Sequence, residues 1–330
     1  MSKILVTGGA GFIGSHLVDY LVKEKHDVIV LDDLSGGFYE NVNNQAKFIQ
    51  GSINDRELVN HLMEDTEIVY HLAAYAAEGL SHFIKHFNYE NNLIGSINLI
   101  NAAINNNVKR FVFTSSMAVY GTNQTPFSES MIPNPEDSYG IAKYAVEQEL
   151  RISKEMFGLD YTIIRPHNCY GIRQSIGDPY RNVIGIFMNR IMQGKPPRIY
   201  GDGKQTRAFS YIDDIIPCLA KSAFQENTKG EIINLGAAEP VTINKLAEIV
   251  LDAMGSKLKP IHTPKRYEVK HAYCTTKKSE KLLGYRTTVH LEEGIKRMAD
   301  WAKETGVRRS KFWEKFEIEK NLPEFWRDFG

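Results

Sequence analysis

Cysteine is scarce in this chain, three in 330 residues, and Cys169, Cys218 and Cys274 stand far apart. Isolated thiols in odd number have neither the paired spacing of a zinc site nor that of a disulfide framework. They read as buried thiols of a reducing compartment, and no metal site is expected. An excess of one charge is lacking as well, because forty Lys and Arg balance forty Asp and Glu. No global field is left to recruit nucleic acid or an anionic membrane surface. No apolar run reaches the ~20 residues that span a bilayer. Met1-Ser2-Lys3 runs straight into a strand-like segment, leaving no room for a signal peptide, so a cytoplasmic location is expected. Internal repeats and low-complexity tracts are missing too.

What is present is a long alternation of strand and helix signals. Residues 3–7 read as a buried strand, followed by Gly8-Gly9-Ala10-Gly11-Phe12-Ile13-Gly14 and an amphipathic helix through Phe12, Leu17, Leu21 and Val22. Strand, glycine loop and helix in that order suit a pyrophosphate, with helix-start amides facing the anion. A second strand, 28–31, ends in Asp32, eighteen residues after Gly14, where a carboxylate accepts from ribose hydroxyls and repels a 2'-phosphate. NAD is therefore expected rather than NADP.

The alternation continues with strands at 48–50, 68–72, 110–114 and 161–165 and helices at 54–63, 81–106 and from Pro135 onward. This is the pattern of a Rossmann-type doubly wound parallel α/β sheet. Ala73-Ala74 at the end of one strand would let a dinucleotide approach, and Thr114, Ser115 and Ser116 lie at the carboxyl end of another. After Pro166 proline and glycine thicken, which marks a smaller C-terminal α/β substrate lobe. The expected division is a dinucleotide-binding domain over 1–167 with a return segment at about 208–237, and a mainly substrate-binding domain over 168–330. Asn182 at the head of a helix over 183–193, Arg207 and Arg266 are candidate anion clamps there, since an arginine can hold a diphosphate through two parallel hydrogen bonds. Helices are expected at 213–224, 243–254 and 291–305. The aromatics of the tail, Phe312, Trp313, Phe316, Phe325 and Trp326, read as packing anchors.

Tyr139 and Lys143 stand four apart on the helix that follows Pro135, and so are neighbours on it. A free tyrosine titrates near ~10, so use as a base near neutrality requires a drop of ~3 units, roughly 4 kcal/mol. A fixed ammonium supplies part of that. A second cation, such as an oxidised nicotinamide ring, would supply the rest.

Taken together, Thr7-Gly8-Gly9-Ala10-Gly11-Phe12-Ile13-Gly14, His71-Leu72-Ala73-Ala74, Phe113-Thr114-Ser115-Ser116 with Val119-Tyr120-Gly121, and Tyr139-Gly140-Ile141-Ala142-Lys143 resemble the extended short-chain dehydrogenases/reductases. Within them the chain is most similar to the NAD-dependent nucleotide-sugar 4-epimerases, and Asn168, Tyr200-Gly201-Asp202-Gly203 and Arg207 match that family's nucleotide-diphosphate site. The resemblance implies a tightly bound NAD against Gly8, Gly11, Phe12, Ile13, Gly14, Asp32, Ser52, Ile53, Leu72, Ala73, Ala74, Asn92, Thr114, Tyr139 and Lys143. It implies a UDP-sugar held by Ser116, Tyr139, Asn168, Asn182, Arg207 and Arg266. Tyr139 would take the proton of the 4-hydroxyl, Lys143 would lower its pKa, and Ser116 would hydrogen-bond the same hydroxyl. A homodimer through helices near 91–106 and 138–156 is implied as well.

The chain departs from the family pattern at Ser52 and Ala208, where acids are common, and at Thr275, where an aspartate is usual. Ala272 falls at the position that gates the sugar pocket. Met117-Ala118 replaces the Asp-Glu pair that a 4,6-dehydratase needs to move protons. A UDP-glucuronate epimerase or decarboxylase would call on a cation such as Arg173 or Arg181. A non-catalytic NAD-binding protein of the same fold is the remaining alternative, against which both Tyr139 and Lys143 stand.

Overall fold

A computed structural model describes residues 1–326, the side chain of Phe325 excepted; the end of the tail, residues 327–330, and the Phe325 anchor lie outside the described residues. Six strands, β1 (Lys3–Thr7), β2 (Asp27–Asp32), β3 (Lys47–Gln50), β4 (Ile68–His71), β5 (Arg110–Thr114) and β6 (Tyr161–Pro166), form a parallel sheet with Glu231–Leu235. The order is Glu231–Leu235, β6, β5, β4, β1, β2, β3.

Alternate residues of β1 serve opposite faces, as the two-residue period of a strand dictates. Ile4 and Val6 pack with Leu17, Val18 and Leu21 of the helix Phe12–Lys23. Leu5 packs with Val59 and Leu62 of Arg56–Met63, Leu99 of Gly95–Asn105, and Val146 and Leu150 of Ser138–Phe157. Burial on both faces is why these strands are nearly all apolar. The order reverses between β1 and β4, and the crevice beyond the carboxyl ends of strands at such a point is where ligands bind.

The later half adds small sheets. Cys169–Tyr170 pairs with Ser210–Tyr211, Arg198–Tyr200 with Ile261–Thr263, and Thr206–Ala208 lies between Pro240–Thr242 and His271–Ala272. Helices Val183–Met192, Ile243–Met254 and Leu291–Thr305 cover them, while Ile212–Lys221 packs on the helix Phe12–Lys23 of the first half.

Two expected helices change shape. The stretch 81–106 is broken into Glu78–Ser81, Lys85–Tyr89, a π-turn at Glu90–Ile94, and Gly95–Asn105. Ile84, with φ −137° and ψ 48°, is the break. The helix after Pro135 starts only at Ser138, because the Asp137 side chain accepts from the Gly140 N–H at 2.8 Å and caps it.

Candidate active site

One cavity of about 1920 Å³ runs from the glycine loop to the second half of the chain. At one end Gly8 holds φ +74°, and a Cβ there would come within 2.7 Å of the Ala73 nitrogen. A Cβ on Gly14 would lie 2.1 Å from the Gly8 carbonyl, so this glycine lets the helix close on the loop. Asp32 ends β2 with one oxygen accepting from Ala10 N–H at 3.0 Å and the other from Leu34 N–H at 2.9 Å. Burial pushes its carboxyl upward, and those two amides pull back. Each oxygen keeps acceptor capacity toward the cavity, which it lines.

Gly8, Gly11, Phe12, Ile13, Gly14, Ile53, Leu72, Ala73, Ala74 and Thr114 share this wall. The arrangement fits a dinucleotide: backbone with no side chains in the way at the helix start, and a carboxylate one strand over. Ser52 stands between two residues of this wall, Gly51 and Ile53, its hydroxyl accepting from Asn54 N–H at 3.1 Å. Asn92 is fully buried behind the wall, accepting from Tyr75 N–H at 2.8 Å and donating to Tyr75 carbonyl at 3.1 Å and Asn88 Oδ1 at 2.8 Å. It sets the course of the segment after Ala74.

The middle of the cavity carries Ser116, Tyr139 and Lys143. The helix Ser138–Phe157 is pinned at its start by the Tyr139 N–H donating to Ser81 Oγ at 3.1 Å. Ser116 shares a hydrogen bond with the Tyr139 phenol and accepts from the Ala118 N–H at 3.1 Å. Lys143 donates to the Thr114 carbonyl at 2.9 Å and lies 4.7 Å from the Phe113 ring centre. Behind it Glu147 binds Arg165 through Nε at 2.9 Å and Nη2 at 2.5 Å, a buried pair that also takes the Ser115 hydroxyl at 2.5 Å.

Burial pushes the Tyr139 phenol up, Ser116 and Arg181 ease it, and Glu78 and Asp137 push it further up. Burial pulls Lys143 down to about 7, with Glu147 opposing. Both groups disfavour charge when desolvated, so the pair alone does not make a base of Tyr139.

At the far end Arg207 and Arg266 meet Glu268. Arg266 binds Glu268 through Nη2 at 2.8 Å and Nε at 3.0 Å and lies 4.4 Å from the Tyr200 ring centre. Arg207 donates to the carbonyls of Thr206 at 2.9 Å, Lys270 at 3.1 Å and Val269 at 2.6 Å. These bonds use three of its five N–H donors, both on Nη1 and one on Nη2, and leave Nε and one Nη2 hydrogen for an anion. Asn182 lines the cavity and caps a helix, accepting from Gly185 N–H at 2.9 Å and donating one amide hydrogen to the Ser175 carbonyl at 3.1 Å. Asn168 lines the cavity with φ +39°, donating to the Ala208 carbonyl at 2.9 Å. Ala272 is buried in a cluster with Met117, which lines the cavity, and with Val119, Phe127 and Cys274.

Glu78 is on the wall and had no signal in the sequence. It begins the short helix Glu78–Ser81, and its side chain is open to the cavity. Burial in the cleft and then Asp137 push its carboxyl up to about 7, against Arg207 and Arg266. Met117 and Ala118 offer no proton-transfer group of the kind a 4,6-dehydratase needs beside Ser116.

Known proteins share this arrangement. Residues 4–236 match the family described as NAD dependent epimerase/dehydratase. A putative UDP-glucose 4-epimerase of Methanocaldococcus jannaschii is 38% identical over 307 residues, 91% of this chain and 98% of that protein. The UDP-glucose 4-epimerase of Thermotoga maritima, solved with UDP-glucose, is 36% identical with a TM-score of 0.86, covering 92% of this chain and 99% of that one. The UDP-glucuronic acid 4-epimerase of Bacillus cereus, solved with UDP-glucuronic acid and NAD, is 30% identical with a TM-score of 0.85 over the same shares, 92% and 99%. With the glycine loop, Asp32, Ser116, Tyr139 and Lys143 on one cavity and a family match over more than half the chain, the chain belongs to the NAD-dependent epimerase/dehydratase family.

Proposed function

We propose that this chain is an isomerase that inverts C4 of a UDP-hexose through a transient 4-keto sugar. The observation that carries this is the placement of Ser116 and Tyr139 midway along one cavity, with the dinucleotide-fitting wall at one end and the Arg207 and Arg266 cluster at the other. NAD, held against the wall from Gly8 to Thr114, supplies a hydride acceptor and donor when bound. Tyr139 takes the proton of the sugar 4-hydroxyl and returns it, and Ser116 holds that hydroxyl and the phenol in line. Lys143, fixed by the Thr114 carbonyl, holds the nicotinamide ribose. The arginine end retains the diphosphate while the sugar turns, which directs binding energy to the part of the substrate that does not react.

Other features agree with this reading. Arg173 is committed to Asp19 at 2.7 Å, and Arg181 to Asp178 at 2.7 Å and the Tyr75 ring at 5.0 Å, so neither cation is reserved for a uronate. The cycle returns what it takes, so the cofactor stays bound between turnovers. Ile94, Ile141, Ile152 and Met156 are exposed on the two helical stretches expected to meet a second copy, which supports a homodimer. The cysteines are free, and burial pushes Cys218 up to about 11 and Cys169 to about 12, as inert thiols in a reducing cytoplasm would be.

The test is incubation of the purified protein, without added NAD, with UDP-glucose, UDP-N-acetylglucosamine and UDP-glucuronate in turn, products being resolved by chromatography. Conversion of a hexose or N-acetylhexosamine derivative to its 4-epimer is expected. No conversion of any of the three, with NAD supplied, would sink the proposal.

A further inference from the structure

A pyranose bound as proposed must bridge two fixed points. Its 4-hydroxyl reaches Tyr139, and its C1 phosphate reaches toward Arg207 and Arg266. Glu78 lines the same cavity as Tyr139, Arg207 and Arg266. A Cβ built on the next residue, Gly79, would lie 3.8 Å from the Arg266 guanidinium, so the segment bearing Glu78 runs between the two ends of that span. The Glu78 carboxylate enters no hydrogen bond or ion pair among the described residues, whereas Glu268 is taken by Arg266 and Asp137 by the Gly140 amide. Its position is set, because Ser81 Oγ donates to the Glu78 carbonyl at 2.7 Å and accepts from Tyr139 N–H at 3.1 Å. The short helix bearing Glu78 is thus tied directly to the start of the helix bearing Tyr139.

We propose that Glu78 is the residue that reads the sugar, accepting hydrogen bonds from ring hydroxyls and turning away a substrate whose C6 is a carboxylate. Once ionised, above about pH 7, this carboxylate is an acceptor only, with up to four lone-pair sites, so at pH 8.5, where the binding below is measured, it rewards hydroxyl donors and has nothing to offer a second acceptor. A like charge placed beside it discriminates by repulsion, the commonest device for rejecting a near-identical ligand. Asp137, behind the wall, and Glu268, on it, add to the negative field at Glu78, and Arg207 and Arg266 oppose it. This inference rests on the UDP-sugar reading above and names the sugar class within it.

Affinity separates the two claims, because it needs no turnover. Binding of UDP, UDP-glucose and UDP-glucuronate is measured at pH 8.5 by titration calorimetry on the purified protein and on Glu78→Gln. The expected result for the native protein is UDP-glucose tighter than UDP-glucuronate by roughly a hundredfold. In Glu78→Gln the gap should shrink to tenfold or less, with UDP affinity unchanged, and relative kcat/KM for the two sugars should follow. Equal affinity of the native protein for the two sugars would overturn the proposal, as would an unchanged ratio in a folded Glu78→Gln. If Glu78→Gln does not fold, Glu78→Asp serves, which keeps the charge and should keep the preference. Absence of epimerisation with the affinity ratio intact would defeat the C4 chemistry and leave the role of Glu78 standing; the reverse pattern would defeat Glu78 alone.

Discussion

The Lys143 ammonium sits 5.8 Å from the centre of the Tyr139 ring and gives one of its three hydrogens to the Thr114 carbonyl at 2.9 Å. The helix brings the pair side by side, yet the ammonium is anchored to β5 and does not touch the phenol. A buried amine drawn down to about 7 has a lower pKa folded than unfolded. Between about 7 and the unfolded value the unfolded chain binds the extra proton, so this group's contribution to stability rises with pH across that window and is lost as pH falls back through 7. Urea unfolding of the native protein and Lys143→Met from pH 6 to 10 should therefore show the native chain gaining on the variant as pH rises. A parallel pair of curves would show that the burial of Lys143 is not felt.

Tyr139→Phe removes the phenolic oxygen and leaves the ring in its buried site. Turnover should fall by roughly a thousandfold, the usual contribution of a positioned acid or base, while UDP and NAD binding persist. Lost binding in step with lost turnover would instead make the phenol a binding group.

Asp32→Asn should weaken NAD by roughly tenfold, the order of one hydrogen bond to a charged group. Its two carboxylate oxygens accept the Ala10 and Leu34 amides at once, and an amide can satisfy only one of them. The NAD released per chain on acid precipitation measures this. Full occupancy in the variant would show that Asp32 only shapes the loop.

The parts of this molecule that could be read from residues are those in which local spacing does the chemistry. The glycines at 8, 11 and 14, the acid closing β2, and a tyrosine and lysine one helical turn apart need nothing distant to define them. Glu78 could not be read, because its role depends on segments near 78, 137, 207 and 266 meeting. Arg207 was recognisable by its neighbours in sequence, but its occupation by three backbone carbonyls comes from the strand pairing of Thr206–Ala208 with His271–Ala272. Asn92 and Ala272 are fixed by distant packing that no local spacing announces, Asn92 by its bonds to Tyr75 and Asn88 and Ala272 by Met117 and Phe127. The broken helix between 78 and 105 was hidden by a continuous helical pattern, which does not register one non-helical residue at Ile84.

The proposed homodimer has a direct test on one helix face. Ile141, Ile152 and Met156 are eleven and four residues apart, close to whole turns of an α-helix, and all three are exposed. Three large apolar side chains on one exposed face of a twenty-residue helix suit a second copy of the same surface. Ile141→Glu with Ile152→Glu should give a monomer in sedimentation at micromolar concentration while the native chain sediments as a dimer. A native monomer would remove the dimer altogether.

The tail ties the two halves together across the cavity. Arg308 exchanges hydrogen bonds with Asn189 in the second half, its N–H donating at 3.0 Å and its carbonyl accepting at 2.9 Å. Trp313 N–H donates to the Tyr180 hydroxyl at 2.8 Å, and Glu317 caps the helix Lys85–Tyr89 of the first half through the His86 and Phe87 amides at 2.7 and 3.0 Å. Phe312 and Trp313 line the cavity, and Trp313 packs on Tyr75 and Phe87. A segment held at both ends slows the exit of whatever lies beneath it. Truncation after Ser310 should therefore speed NAD release by tenfold or more, seen as loss of NAD on gel filtration and dependence of turnover on added NAD. Because the truncation also bares Phe83, Phe87 and Tyr180, Glu317→Ala provides the milder case, loosening the cap alone; it should raise the release rate less. Release rates equal to the native value in both variants would mean that the tail packs against the cavity without closing it.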